Sequence, residues 1–134
     1  MAGIGPRNTR PELAVRQFLH RSGFRYRLHV GSLPGRPDLV LPRYRAVIFV
    51  HGCFWHRHAG CSDAVLPSTN RSFWLKKLNE NRRRDGLSIQ KLLDDSWRVA
   101  VLWECATRHA SRHPHALKQL AGWVRGRRRF IEFP

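Results

Sequence analysis

Between positions 51 and 61 the chain reads His-Gly-Cys-Phe-Trp-His-Arg-His-Ala-Gly-Cys, which puts three histidines and two cysteines in one short stretch. Thiolate sulfur and imidazole nitrogen are the donors that a tetrahedral Zn²⁺ takes, and a structural site needs four of them. Cys53, His58 and Cys61 supply three at close spacing, and Cys105, the one remaining cysteine, supplies the fourth. His51 and His56 lie within reach of the same ion, so spacing alone leaves the choice of histidine open. A histidine that the metal does not take is free for acid–base work, because a neutral imidazole accepts a proton from water and its conjugate acid returns one to a leaving oxygen. Buried thiols beside surface histidines are the competing reading, and the density of donors counts against it.

A second group of residues suits phosphodiester chemistry. Asp38 stands at the entrance to one apolar run and His51 at the end of the next, twelve residues intervening. A hairpin sets such a pair side by side. A carboxylate there suits Mg²⁺, a hard cation whose remaining positions are filled by phosphate, water and carbonyl oxygens. Glu12, in the first turn of an N-terminal helix, reaches the same ion through water. As the fourth residue of Thr9-Arg10-Pro11-Glu12 it serves equally well to close a capping box, and Asp38 is also a natural turn residue after Pro37. Phe54 and Trp55 read as exposed on the histidine loop, where two adjacent rings either pack into the core or stack between bases.

These residues need a scaffold, and the pattern supplies one. Capping at Thr9 and apolar positions Leu13, Val15, Phe18 and Leu19 predict a helix over 10–22. Phe24 to Val30 alternates like a strand, the Leu33–Pro37 stretch turns, and a second strand starts at Asp38. The unbroken run 45–50 suits a central strand buried on both faces. Residues 51–69 form an irregular loop long enough to need a metal staple. A helical pattern over 70–95, broken near Gly86, precedes a strand over 97–103, a closing helix over 114–124 and a basic run over 125–129. Helix, three strands, helix, strand, helix implies an α/β sandwich with a mixed sheet flanked by helices.

Lys and Arg number 25 against 9 Asp and Glu, a net charge of +16, so the expected partner is a polyanion. Membrane binding is a poorer reading, because no run approaches the roughly 20 apolar residues of a spanning helix. Lys76, Lys77, Arg82, Arg83 and Arg84 are suited to DNA phosphates, unless Glu80 and Asp85 balance them into a solvated face. The 134 residues fit one domain with a basic tail at about 125–134. The first six residues lack the apolar core of a secretory signal, which points to the cytoplasm and reduced thiols.

The runs Leu33-Pro34-Gly35-Arg36-Pro37-Asp38, Ala46 through His56, Phe73-Trp74 and Trp103-Glu104-Cys105 occur in the order and spacing of one known family. From about Thr9 to Arg108 the chain resembles the very short patch repair (Vsr) mismatch endonucleases. The resemblance implies a restriction-endonuclease-like fold of the PD-(D/E)XK superfamily, structural Zn²⁺ and catalytic Mg²⁺. It also implies a nick 5′ of the thymine in a T·G mismatch left by deamination of 5-methylcytosine. Asp38 and the main-chain carbonyl of Val50 then bind Mg²⁺, Glu12 acts through water on that ion, and His51 and His56 transfer protons. Cys53, His58, Cys61 and Cys105 match the zinc ligands, and Phe54 and Trp55 match an aromatic wedge. Position 50, often threonine in the family, is valine here. Some relatives carry an N-terminal helix that enters the minor groove, and this chain begins near that point, so altered mismatch discrimination is expected. Implied partners are T·G duplex DNA and mismatch-repair proteins, for a monomer at the bacterial nucleoid. Two alternatives fit the same residues: a restriction-like or nicking endonuclease of other specificity, and a zinc-stabilised DNA-binding module without catalysis.

Overall fold

The computed structural model describes residues 9–109 and 113–134. Expectations resting on the first eight residues, the secretory signal and the minor-groove wedge, lie outside the described residues. Helix α1 (Arg10–Arg21) starts where Thr9 Oγ1 accepts the Glu12 backbone N–H at 3.4 Å. Five strands follow the order β1 (Arg27–Leu28), β2 (Leu39–Leu41), β3 (Ala46–His51), β4 (Arg98–Trp103) and β5 (Phe130–Phe133) across one sheet. The first three are antiparallel neighbours, whereas β3, β4 and β5 run parallel. The sheet is therefore mixed, as its pattern implied.

Alternation along β3 and β4 divides the core into two layers. Ile48, Ala100 and Leu102 pack with Val15 and Leu19 of α1 and with Leu120 and Val124 of α4 (Ala116–Arg125). Val47, Phe49, Val99 and Val101 face Leu92 of α2 (Arg71–Asp94) on the other side. A short helix, α3 (Glu104–Arg108), leaves the end of β4 directly. Arg98 joins β4 to the closing elements by donating to the carbonyls of Val124 and Arg128 at 3.0 and 3.1 Å. No helix among the described residues is long and apolar enough to cross a membrane.

Four expectations need correction. The strand over 24–30 shrinks to two paired residues, because Phe24 is drawn into the core and His29 takes a left-handed backbone with φ 47°. The break near Gly86 does not occur: nothing lies within 4 Å of where its Cβ would be, and α2 runs straight through. Helix propensity is a weak prior that packing at Leu78 and Leu92, on either side, overrides. Helix α3 is an addition to the expected element order. A fifth strand, finally, is absent from the expected element order: after Arg129 the basic tail enters the sheet as β5, pairing Phe130 with Val99 through to Phe133 with Leu102.

Candidate active site

The hairpin of β2 and β3 brings the central pair together. Pairing of Leu39 with Ile48 sets Asp38 opposite the end of β3, and the Val50 backbone N–H donates to Asp38 Oδ2 at 2.7 Å. Asp38 belongs to the same alternation as Val40, and His51 to that of Val47 and Phe49, so both lie on the α2 side of the sheet. They line one open cavity of about 680 Å³ with Glu12, Val50, His56, Phe54 and Trp55. The cavity opens at the carboxyl ends of the parallel strands, where α/β sheets habitually place ligands.

Burial, opposed in part by the Val50 N–H, pushes the Asp38 carboxyl up from 3.8 to about 6, and neighbouring Glu12 adds to the rise. Such a group gains from a cation. Glu12 is 2 % exposed, and its Oε2 lies 2.9 Å from Arg16 Nη1 and 2.8 Å from His29 Nε2. Donor atoms of Glu12, His29 and Asp38 all fall within 4.8 Å of one another, a separation that one divalent ion can bridge. Two carboxylates and an imidazole form a donor set that a divalent cation can take.

His51 stacks on His56 at 3.9 Å and a 6° interplanar angle. Burial, then the neighbouring imidazoles of His56 and His58, drives the His51 pKa well below the ordinary histidine value. Its ring is thus neutral, the form that accepts a proton. His56 Nδ1 lies 2.6 Å from Asp85 Oδ2, an arrangement that orients the ring. Asp85 is therefore turned toward the loop rather than balancing the basic face of α2. Asn81, also buried on α2, donates to the Trp55 carbonyl at 3.2 Å and holds the loop to the helix.

Below this loop, Cys53, His58, Cys61 and Cys105 place their donor atoms within 4.8 Å of one another. Cys105 Sγ lies 3.6 Å from His58 Nδ1. Burial raises the Cys53 thiol far above its usual value and Cys105 above it too, while it lowers His58. Three clustered thiols in so poorly solvated a setting fit a cation that would hold them as thiolates, and the four donors match the set Zn²⁺ prefers. Trp103 joins the two groups: its ring stacks on His58 at 4.1 Å and meets His51 edge-on at 5.1 Å. Its indole N–H donates to Glu132 Oε2 of β5 at 2.6 Å, which fixes the ring.

Phe54 and Trp55, expected to be exposed, are half-buried against Trp74 at centroid distances of 5.6 and 6.1 Å. Their packing partner comes from the first turn of α2, and the ring left outward is Phe73, 60 % exposed. Of the five basic residues singled out on α2, Arg84 lines the cavity, while Lys76, Lys77, Arg82 and Arg83 lie outside it. His29, Asn81 and Asp85 are among the cavity residues to which reading the sequence gave no role in the site. Asn81, Arg84, Asp85 and Ser88 recur at helical spacing and so marked a face; His29 carried no comparable sign.

The sequence model described as DNA mismatch endonuclease Vsr matches residues 1–62. The type II nicking enzyme V.XorIIP of Xanthomonas oryzae pv. oryzae is 50% identical over 105 residues, 78% of this chain and 76% of that protein. DNA mismatch endonuclease Vsr of Escherichia coli K12 is 44% identical over 108 residues, 81% of this chain and 69% of that protein. The chain belongs to the Vsr family of DNA mismatch endonucleases. A further relative, the type II nicking enzyme V.NmeAIP of Neisseria meningitidis, is 42% identical over 78% of this chain and 74% of its own length. As a Vsr-family DNA endonuclease, this chain has a polyanionic substrate, to which its net charge of +16 is suited.

Proposed function

We propose that this Vsr chain is a monomeric, restriction-endonuclease-like domain spanning 1–134 that nicks one strand of duplex DNA 5′ of the thymine in a T·G mismatch. The observation that carries the reading is the convergence of Asp38, Glu12, His51 and the His56–Asp85 pair on one cavity at the carboxyl end of β3. Asp38 and the Val50 carbonyl would hold Mg²⁺, and Glu12, beside Asp38, would act on water at that ion. The ion, when bound, offsets charge that develops on the cleaved phosphate. His51, neutral through burial, takes the proton from the attacking water. As oxygen adds to phosphorus and the P–O3′ bond breaks, His56, oriented by Asp85, gives its proton to the leaving 3′ oxygen. The products are a 3′ hydroxyl and a 5′ phosphate.

Cys53, His58, Cys61 and Cys105 hold Zn²⁺, which fixes the loop that carries His56. Phe54, Trp55 and the neighbouring Phe73 form the wedge that enters the base stack. A mismatched pair unstacks at lower cost than a matched one, so the wedge selects before any base edge is read. Lys76, Lys77, Arg82, Arg83 and Arg84 contact phosphates along α2. The reaction belongs to bacterial mismatch repair at the nucleoid.

The test is a set of end-labelled duplexes that differ only in one base pair and cover every mismatch and the matched control, incubated with Mg²⁺. A single nick in the thymine strand of the T·G duplex is the expected product. Equal cutting of matched DNA points to a nicking or restriction-like enzyme of other specificity. Tight binding with no cutting in Mg²⁺ or Mn²⁺ points to a binding module.

A further inference from the structure

His29 has no part in the reaction proposed above, yet the fold aims it into the cation site. The β1–β2 ladder pairs Leu28 with Leu39, and its next rung is a hydrogen bond from the His29 N–H to the Asp38 carbonyl at 3.0 Å. His29 thus stands directly across from Asp38. Its left-handed backbone, φ 47°, ends the strand at that point. The side chain is only 15 % exposed, and Nε2 is buried without a hydrogen-bond partner although Glu12 Oε2 lies 2.8 Å away. The in-plane direction of Nε2, along which it offers a proton or a lone pair, therefore misses that oxygen. Arg16 Nη1, 2.9 Å from the same oxygen, already supplies Glu12 with a positive neighbour. A buried ring nitrogen without a hydrogen bond, set between two carboxylates, is placed as a metal ligand would be.

We propose that His29 Nε2 is a direct ligand of the divalent cation held by Asp38, and that it biases the site from Mg²⁺ toward imidazole-accepting ions such as Mn²⁺ or Co²⁺. The inference rests on the reading of Asp38 as a cation ligand. Mg²⁺ keeps much of its water and takes oxygen donors, so an imidazole adds little to its binding. First-row transition ions accept nitrogen readily, and for them the same ring is a strong addition.

The decisive measurement is electron spin-echo envelope modulation on Mn²⁺ added to the full chain after its cysteine cluster has been saturated with Zn²⁺. Wild-type protein is expected to show modulation from directly coordinated ¹⁴N. His29→Gln is expected to lose it, with Mn²⁺ affinity falling about tenfold or more, since even outer-sphere partners of a metal contribute about 10–100-fold. Mg²⁺ affinity, read by calorimetry, should change less than about twofold. Bound Mn²⁺ without nitrogen modulation in the wild type overturns the proposal, as does modulation that survives in His29→Gln or His29→Asn. Asp38→Asn separates the two readings: it should abolish binding of both ions. Should it bind Mn²⁺ as the wild type does, the cation site at Asp38 itself is wrong, whatever the spectrum shows.

Discussion

At the scale of single residues, the proposed chemistry centres on Asp38, a carboxylate whose surroundings raise it by burial and do not fully offset that cost. Burial raises it from 3.8 to about 6, so between those values the folded protein keeps a proton that the unfolded chain has lost. Stability then falls as pH rises through that window, and the deficit is complete above it. In Mg²⁺-free buffer at pH 8, Asp38→Asn is expected to be more stable than wild type by on the order of 1–2 kcal/mol, after allowance for solvent in the cavity. Below pH 3.5 or so the advantage should vanish, since both side chains are then neutral. Urea melts at the two pH values check it, and a less stable variant at pH 8 counts against the burial argument. Asp85 acts at one remove, through the 2.6 Å contact that orients His56. Asp85→Asn is expected to lower kcat by about 10²-fold, within the range of one acid–base group, with KM for DNA nearly unchanged. A flattened pH–rate profile would accompany it, and a loss confined to KM would instead make Asp85 a DNA-binding group.

At the scale of elements, two glycines show how local space decides what the chain tolerates. Gly35, in the Leu33–Pro37 turn, has φ +74°, and a Cβ there would meet Ser88 Cβ at 2.8 Å. The turn lies against α2, and Gly35→Ala is expected to cost about 1–3 kcal/mol through strain and overpacking. Gly86, on the same helix with open space around it, should behave oppositely: Gly86→Ala is expected to add about 0.5–1 kcal/mol. Thermal melts of the pair read both signs. The two positions also mark where sequence was informative. The apolar run of β3 and the capped α1 announced themselves through periodicity and capping. Gly86 looked like a helix breaker because propensity is local, whereas what carries α2 past it is tertiary, the burial of Leu78 and the packing of Leu92 on the sheet. β5 was hidden by the arginines before it and by its length of four residues, and only pairing with β4 makes it a strand. His29 and Asp85 were illegible for a related reason: each acquires meaning from a partner far along the chain, Asp38 and Glu12 for one and His56 for the other.

At the scale of the whole molecule, the sheet, the cysteine cluster and the charge act together. Trp103 lies between His58 and His51, so the loop that carries the cysteine cluster and the strand end that carries the proposed base share one aromatic wall. Around them a net charge of +16 supplies attraction that does not depend on sequence. We assign Arg82 and Arg83, exposed on α2 and outside the cavity, to that general attraction rather than to mismatch selection. Replacing both with alanine is expected to weaken T·G and matched duplexes alike, and to reduce the slope of log affinity against log salt by about 2. A loss specific to T·G would place them at the mismatch instead. The central claim, that one carboxylate-held cation at the end of the β2–β3 hairpin cuts the phosphodiester, is tested most directly with Asp38→Asn on an end-labelled T·G duplex in Mg²⁺. The ion contributes several kcal/mol at the transition state, so nicking is expected to fall by about 10³-fold while the duplex remains bound. Nicking at the wild-type rate by a folded Asp38→Asn protein would contradict it.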